Sequence, residues 1–245
     1  MKTIVIYKWF RSAASALVRQ DGQVDWGGAK MAAGDDDPAA LDIAKAVAGP
    51  GGTVTGLTIG DGETAWVLAR GVERALAAPA VGPLTDELAT ARALAQAVRL
   101  VEAADAVEAA DAVIVADAAA HPGVAPALAA ELGRPVVLCV SSAAADGSQI
   151  TVRRRVGNAV EVICLPPPAV LGAVAAGEEA RPPGMMETIR ARKKPVVELP
   201  VTPPPEALER RGTRPPARLG ARLFGGSPDD AASALVAALR ADGVL

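Results

Sequence analysis

The chain has 245 residues, 51% of them hydrophobic and 22% charged, with a formal net charge of −3. That length can bury the core of one large domain, or of one domain with an extension. The weak negative charge excludes a general attraction to nucleic acid or anionic membranes, and aromatic residues at 2% leave the core to Ala, Val and Leu.

The opening MKTIVIYKWFR holds too short an apolar run for a signal peptide, and Arg11 interrupts it. No segment reaches the roughly 18 apolar residues of a spanning helix, so a cytoplasmic protein without membrane insertion is expected. Thr3–Tyr7 (TIVIY) and Val54–Ile59 (VTGLTI) are predicted buried strands, as are Ala112–Ala116 (AVIVA) and Pro135–Val140 (PVVLCV). The acidic triplet Asp35–Asp37 precedes a helix and reads as N-terminal capping, since nothing nearby supplies the other ligands of a cation. From Leu84 onward, Leu88, Ala91, Ala95 and Val98 mark an amphipathic helix with Thr85 or Asp86 as its cap. A further helix over Val124–Leu132 ends at Gly133, ahead of Pro135. This alternation predicts an α/β fold: a mostly parallel, Rossmann-like sheet with helices on both faces and right-handed crossovers. Ligands of such sheets sit beyond the carboxyl ends of the strands.

The pattern then changes. Asp146-Gly147 signals a turn, and QITVRRR (149–155) and VEVICL (160–165) flank Gly157-Asn158, which predicts an antiparallel β-hairpin added to the sheet. Cys139 and Cys164 lie in apolar runs without CxxC spacing and read as buried, reduced thiols. After Pro166–Pro168, AVLGAV predicts one more strand. From Pro195 to about Pro228 the chain shows no helical or strand period and reads as an extended arm. It ends in a helix capped by Ser227, with Pro228 at its first position and Ala231, Leu235 and Leu239 on its apolar face. The expected organisation is a nucleotide-binding-type domain over 1–190 and an arm with terminal helix over 191–245.

Few residues offer chemistry. His121 is the single histidine, so no histidine metal cage and no Ser-His-Asp set can be built without it. Ser141-Ser142 lack a GxSxG frame. No catalytic residue and no metal site are expected. The cations Arg190, Arg192, Lys193 and Lys194 crowd into five positions; composition alone reads them as a solvated face or a docking site. No aromatic interleaves them, against a nucleic-acid reading.

The order of these pieces resembles the β subunit of electron transfer flavoproteins, the FixA-like family. The resemblance is strongest over ITVRRRVGNAVEVICLPPPAVLGAV, with Arg154, Glu161, Ile163, Pro168, Val170 and Leu171 in signature positions, and over EEARPPGMMETIRARKKPVVEL. MKTIVIYK, GDDDPAALDIAKAVA, GGTVTGLTIGDGE and TDELATARALAQAV agree more loosely. The resemblance implies an adenine nucleotide alpha hydrolase-like fold and an α subunit that holds most of an FAD. It also implies a recognition loop at Gly184–Ile189 that docks dehydrogenase or oxidoreductase flavoproteins. Gly184, Met185, Met186, Ile189, Arg190, Arg192, Lys193 and Lys194 would be the docking residues, with Met185 as the apolar anchor. Such a subunit is an electron carrier, not a catalyst with active-site residues of its own.

The family's β subunit also binds AMP, or a second FAD in bifurcating members. The matching positions here are Lys8, Gly60, Asp61, Asp117, His121, Gly123 and Val124. The loop VIVADAAAHPGVAPAL is shorter than the family's, and His121-Pro122-Gly123 stands at its Gln-Thr-Gly position. Proline removes an amide donor there. The loop leaves room for AMP or for an empty site and argues against a second FAD. After the first strand only Lys8 matches, and Pro182 replaces the family's tyrosine. Two other readings stand beside the electron carrier: a non-redox scaffold that has lost its nucleotide, and a stand-alone adenine-nucleotide-binding protein.

Overall fold

The computed structural model describes residues 1–60, 62–82, 86–106, 109–116, 121–176, 182–208 and 220–245. Strand β1 (Lys2–Ile6) leads into four short strands, β2 (Phe10–Arg11), β3 (Leu17–Val18), β4 (Val24–Asp25) and β5 (Met31–Ala32). These pair antiparallel as β2 with β5 and β3 with β4. Then follow α1 (Asp37–Ala48), β6 (Thr53–Ile59), α2 (Thr64–Leu68), β7 (Arg74–Ala78), α3 (Glu87–Ala104), β8 (Ala112–Ala116) and α4 (Val124–Leu132). The later elements are β9 (Val136–Asp146), β10 (Gln149–Val156), β11 (Ala159–Leu165), β12 (Ala169–Ala173), α5 (Met185–Ala191), β13 (Val197–Glu198) and α6 (Pro228–Ala241).

Nine strands form one sheet in the order β11-β10-β9-β12-β8-β1-β6-β7-β13. From β9 to β13 all neighbours are parallel, and only the β9–β10 and β10–β11 pairs are antiparallel. The central strands β8 and β12 are apolar and buried along their whole length because both faces are covered. Side chains alternate along β1, so Val5 and Tyr7 join the core beneath α1 and α2 while Ile4 and Ile6 join the core beneath α3 and α4. The expected α/β fold, with helices on both faces and a hairpin extension, is the observed one. The chain moves from β1 through β6 to β7 on one side and then returns to β8 on the other. Right-handed crossovers therefore place α1 and α2 on one face and α3 and α4 on the other.

Small residues let these layers approach closely. Ala89, Ala91, Ala93, Ala95 and Ala97 of α3 are all buried. A Cβ at Gly56 would lie 2.7 Å from Val67 Cγ1, so β6 and α2 meet backbone to side chain. Larger apolar groups fill the remaining space: Leu128 of α4 is fully buried, which contributes about 1.5–3 kcal/mol.

Three local expectations are corrected. The strand expected to stop at Val140 runs on to Asp146, so β9, β10 and β11 make a three-stranded antiparallel extension. Both cysteines are exposed, not buried. Cys139 has φ +57 where the β9 pairing slips register against both β10 and β12, a bulge that turns its side chain outward. Cys164 lies on the border strand β11, on the same face as the exposed Val160 and Val162. The arm, finally, begins as a strand. Val197–Glu198 pairs with β7, Leu199 N donates to Ala77 O at 2.8 Å, and Leu199 and Val201 are buried. A two-residue strand between Pro195 and Pro200 leaves no period to detect, and a border position tolerates both prolines.

The chain forms two compact units, Met1–Val18 with Val24–Arg211, and Arg19–Gln23 with Gly212–Leu245. In the second, Gly22 N closes a turn on Arg19 O, and α6 starts as expected. Ser227 Oγ accepts from Asp230 N at 3.2 Å and donates to Asp230 Oδ2 at 2.6 Å. Ala238 is buried, whereas Leu235 of the expected apolar face is exposed.

Candidate functional site

The direction of sheet growth reverses between β1 and β8, which makes the carboxyl ends of these strands the crevice where α/β sheets bind ligands. Backbone amides there are tied by two acids from the start of α1. The buried Asp37 carboxylate accepts from Lys8 N at 3.1 Å and from Gly34 N at 2.5 Å. Asp36 Oδ1 accepts from Ala175 N, just past β12, at 2.6 Å. Asp36 and Asp37 thus brace loops from two strands, and the expected capping is corrected: Asp36 stands at the N-cap of α1 but its side chain makes no capping bond, being spent on Ala175 N. Tyr7 lies beside this brace. Burial, then the Asp37 and Glu63 carboxylates, push its phenol well above the ordinary tyrosine value and keep it neutral.

One strand away, Gly60 has φ +73 and its N–H donates to Ala78 O at 3.0 Å. Gly62 N turns back to Gly60 O at 2.8 Å, and Glu63 caps the short helix α2. The first of these amides is used by β7 and the second within the turn. At the start of α4, Val124 N donates to His121 O at 3.1 Å, and neither Pro122 nor Pro126 has an N–H. Glu87, the first residue of α3, reaches across: a Cβ at Gly123 would overlap its Oε2, and its Oε1 lies 4.0 Å from His121 Nδ1. A phosphate at this helix start needs unused amides and unopposed positive potential. The residues present do not fit one, because a carboxylate already lies against Gly123.

The third feature is α5. Its cap residue Gly184 donates its N–H to Glu187 Oε2 at 2.7 Å, and Ala191 is buried in the core shared with α1 and α2. Rooted there, the helix turns Met185 outward at 80% exposure and Met186 at 61%, with Ile189 also exposed. Arg190, Arg192, Lys193 and Lys194 are all exposed on or just after it. A cleft of about 720 Å³ separates this helix start from α1, bordered by Leu41, Lys45, Arg70, Pro183, Met185 and Met186. Contacts link its border to the core: Lys45 Nζ donates to Arg70 O at 2.5 Å, the Arg70 guanidinium lies 4.2 Å from the Trp66 ring centre, and Trp66 stacks on Tyr7 with centroids 5.4 Å apart.

A family model, electron transfer flavoprotein domain, matches residues 30–204. The chain belongs to the electron transfer flavoprotein domain family. A search of the curated proteins found no match. The matched span runs from β5 through α5 and β13, so the domain assigns the chain an electron transfer flavoprotein-family role.

Lys8, ahead of the matched span, and Gly60, within it, follow the adjacent strands β1 and β6, while His121 and Gly123 precede α4 and Val124 opens it. Asp61 and Asp117 lie outside the described residues. The stretch expected as a recognition loop is helical from Met185. Sequence reading missed Glu87. An acid in the first turn of a helix reads as favourable placement against the helix dipole, and its approach to Gly123 appears only once α3 and α4 lie side by side. It also missed Trp66 and Arg70, whose pairing needs no motif.

Proposed function

We propose that this chain is the β subunit of a heterodimeric electron transfer flavoprotein, supporting an FAD held mainly by an α subunit and docking flavoprotein dehydrogenases through α5. The observation that carries this reading is a helix with its apolar residues facing outward. Met185, Met186 and Ile189 are exposed on an element whose root, Ala191, is 3% exposed. A soluble domain rarely leaves such a cluster bare without a partner for it. Methionine suits an exchangeable contact, because its flexible thioether fills pockets of differing shape. The four cations beside it would steer an acidic partner surface and raise the encounter rate without prolonging the complex. An electron shuttle needs that combination. The FAD supplies the redox chemistry; this chain's residues orient the partner and hold the α subunit.

Co-expression with a candidate α subunit tests the reading. The expected outcome is a yellow one-to-one complex that passes electrons from a dehydrogenase. A stable complex with no flavin would support the scaffold reading instead, and a chain that stays monomeric would overturn both. Replacing Arg190, Arg192, Lys193 and Lys194 with Glu should slow reduction by the dehydrogenase about tenfold or more at low salt. That difference should shrink as salt screens the charges. An unchanged rate at low salt would remove α5 from the docking surface.

A further inference from the structure

We propose that the carboxylate of Glu87 takes the place of a nucleotide phosphate at the start of α4, so that this chain carries no AMP. The proposal rests on the β-subunit reading only in naming AMP as the displaced ligand. Helices α3 and α4 follow successive parallel strands on one face of the sheet, and their N-termini therefore open at the same edge. The N-terminus of α4 presents partial positive charge, which attracts an anion. In this chain the anion is built in. Glu87 Oε2 occupies the volume that a side chain at position 123 would fill, and its Oε1 faces the only imidazole of the chain at 4.0 Å.

Three features act in one direction. A carboxylate tethered to the first turn of α3 loses little freedom on reaching α4, whereas a free nucleotide loses its translation and rotation. An arriving phosphate would meet like charge where it needs donors. The donors themselves are reduced, since Val124 N is turned to His121 O and residues 122 and 126 are prolines. Gly123 leaves room for the carboxylate, whereas a side chain there would have to push Glu87 aside.

The test uses the full chain and two probes, AMP and inorganic phosphate, followed by calorimetry and by the ring-proton resonance of His121. With one histidine in the sequence, that resonance reports this corner of the fold alone. The wild-type chain should show no saturable AMP binding at millimolar concentration. Glu87→Ala should gain binding by about tenfold or more and shift the His121 resonance. Glu87→Gln, equal in bulk but uncharged, should fall between them; if Glu87→Ala does not fold, a gain in Glu87→Gln alone carries the test. Phosphate following the same order assigns the effect to the anion, and AMP without phosphate would still support the proposal through the same variants. Saturable AMP binding by the wild-type chain overturns it, and so does the absence of any gain in the variants. Neither result touches the docking reading, since no α subunit or dehydrogenase takes part.

Discussion

Asp86 accepts three backbone amides from two parts of the chain. Oδ1 takes Leu88 N at 2.8 Å and Ala89 N at 3.3 Å, capping α3, while Oδ2 takes Ala207 N at 2.9 Å. The Ala207 amide is the leading cause that holds this carboxyl below the ordinary aspartate value of 3.8, and the Arg74 guanidinium does the same for Asp105. A lowered folded-state value means stability that is complete above 3.8 and lost as pH falls through the folded value. Thermal melts followed downward from neutral pH should therefore drop steeply only below about 3.8, and the drop should flatten in Asp86→Asn and Asp105→Asn. Asp86→Ala should lower the urea unfolding midpoint through the lost cap, and protease should cut within 199–208 sooner. The cap was legible because capping is local. Cys139 and Cys164 were not, since their exposure depends on a bulge and on lying along a border. Both thiols should react with maleimide in the folded chain, and a chain that reacts only after unfolding would restore the buried reading.

Elements were legible where they satisfy their own needs. Helix α4 ends at Leu132 because Gly133 takes φ +68, and α6 starts at its Ser227 box; both signals are written within a few residues. Strand β9 outruns its expected end because β10 lies beside it, and β13 exists only because β7 accepts it. Helix α5 shows what such dependence means for function. Its outward residues can change without disturbing the fold, but its root cannot. Met185→Ala should leave the melting temperature unchanged and weaken dehydrogenase capture. Ala191→Asp places a carboxylate in the core and should destabilise the chain by about 3 kcal/mol, read as a fall in melting temperature. If Met185→Ala alters stability as much as Ala191→Asp, α5 is a packing element and not a docking one.

At the scale of the molecule, alternation of β-branched strands with Ala-rich helices was enough to assign the class, because a doubly covered parallel sheet leaves few other ways to bury both. It could not reveal how the chain closes its borders. Strand β13 covers β7 with a segment of the same unit, and the prolines at 195 and 200 that bracket it offer no N–H to a further strand. At the opposite border β11 has no neighbour among the described residues. Growth by strand addition needs two complementary borders, one to give and one to receive. Among the described residues the two borders thus differ in kind: one is short and ends against proline, the other is a seven-residue strand with Val160, Val162 and Cys164 exposed on one face.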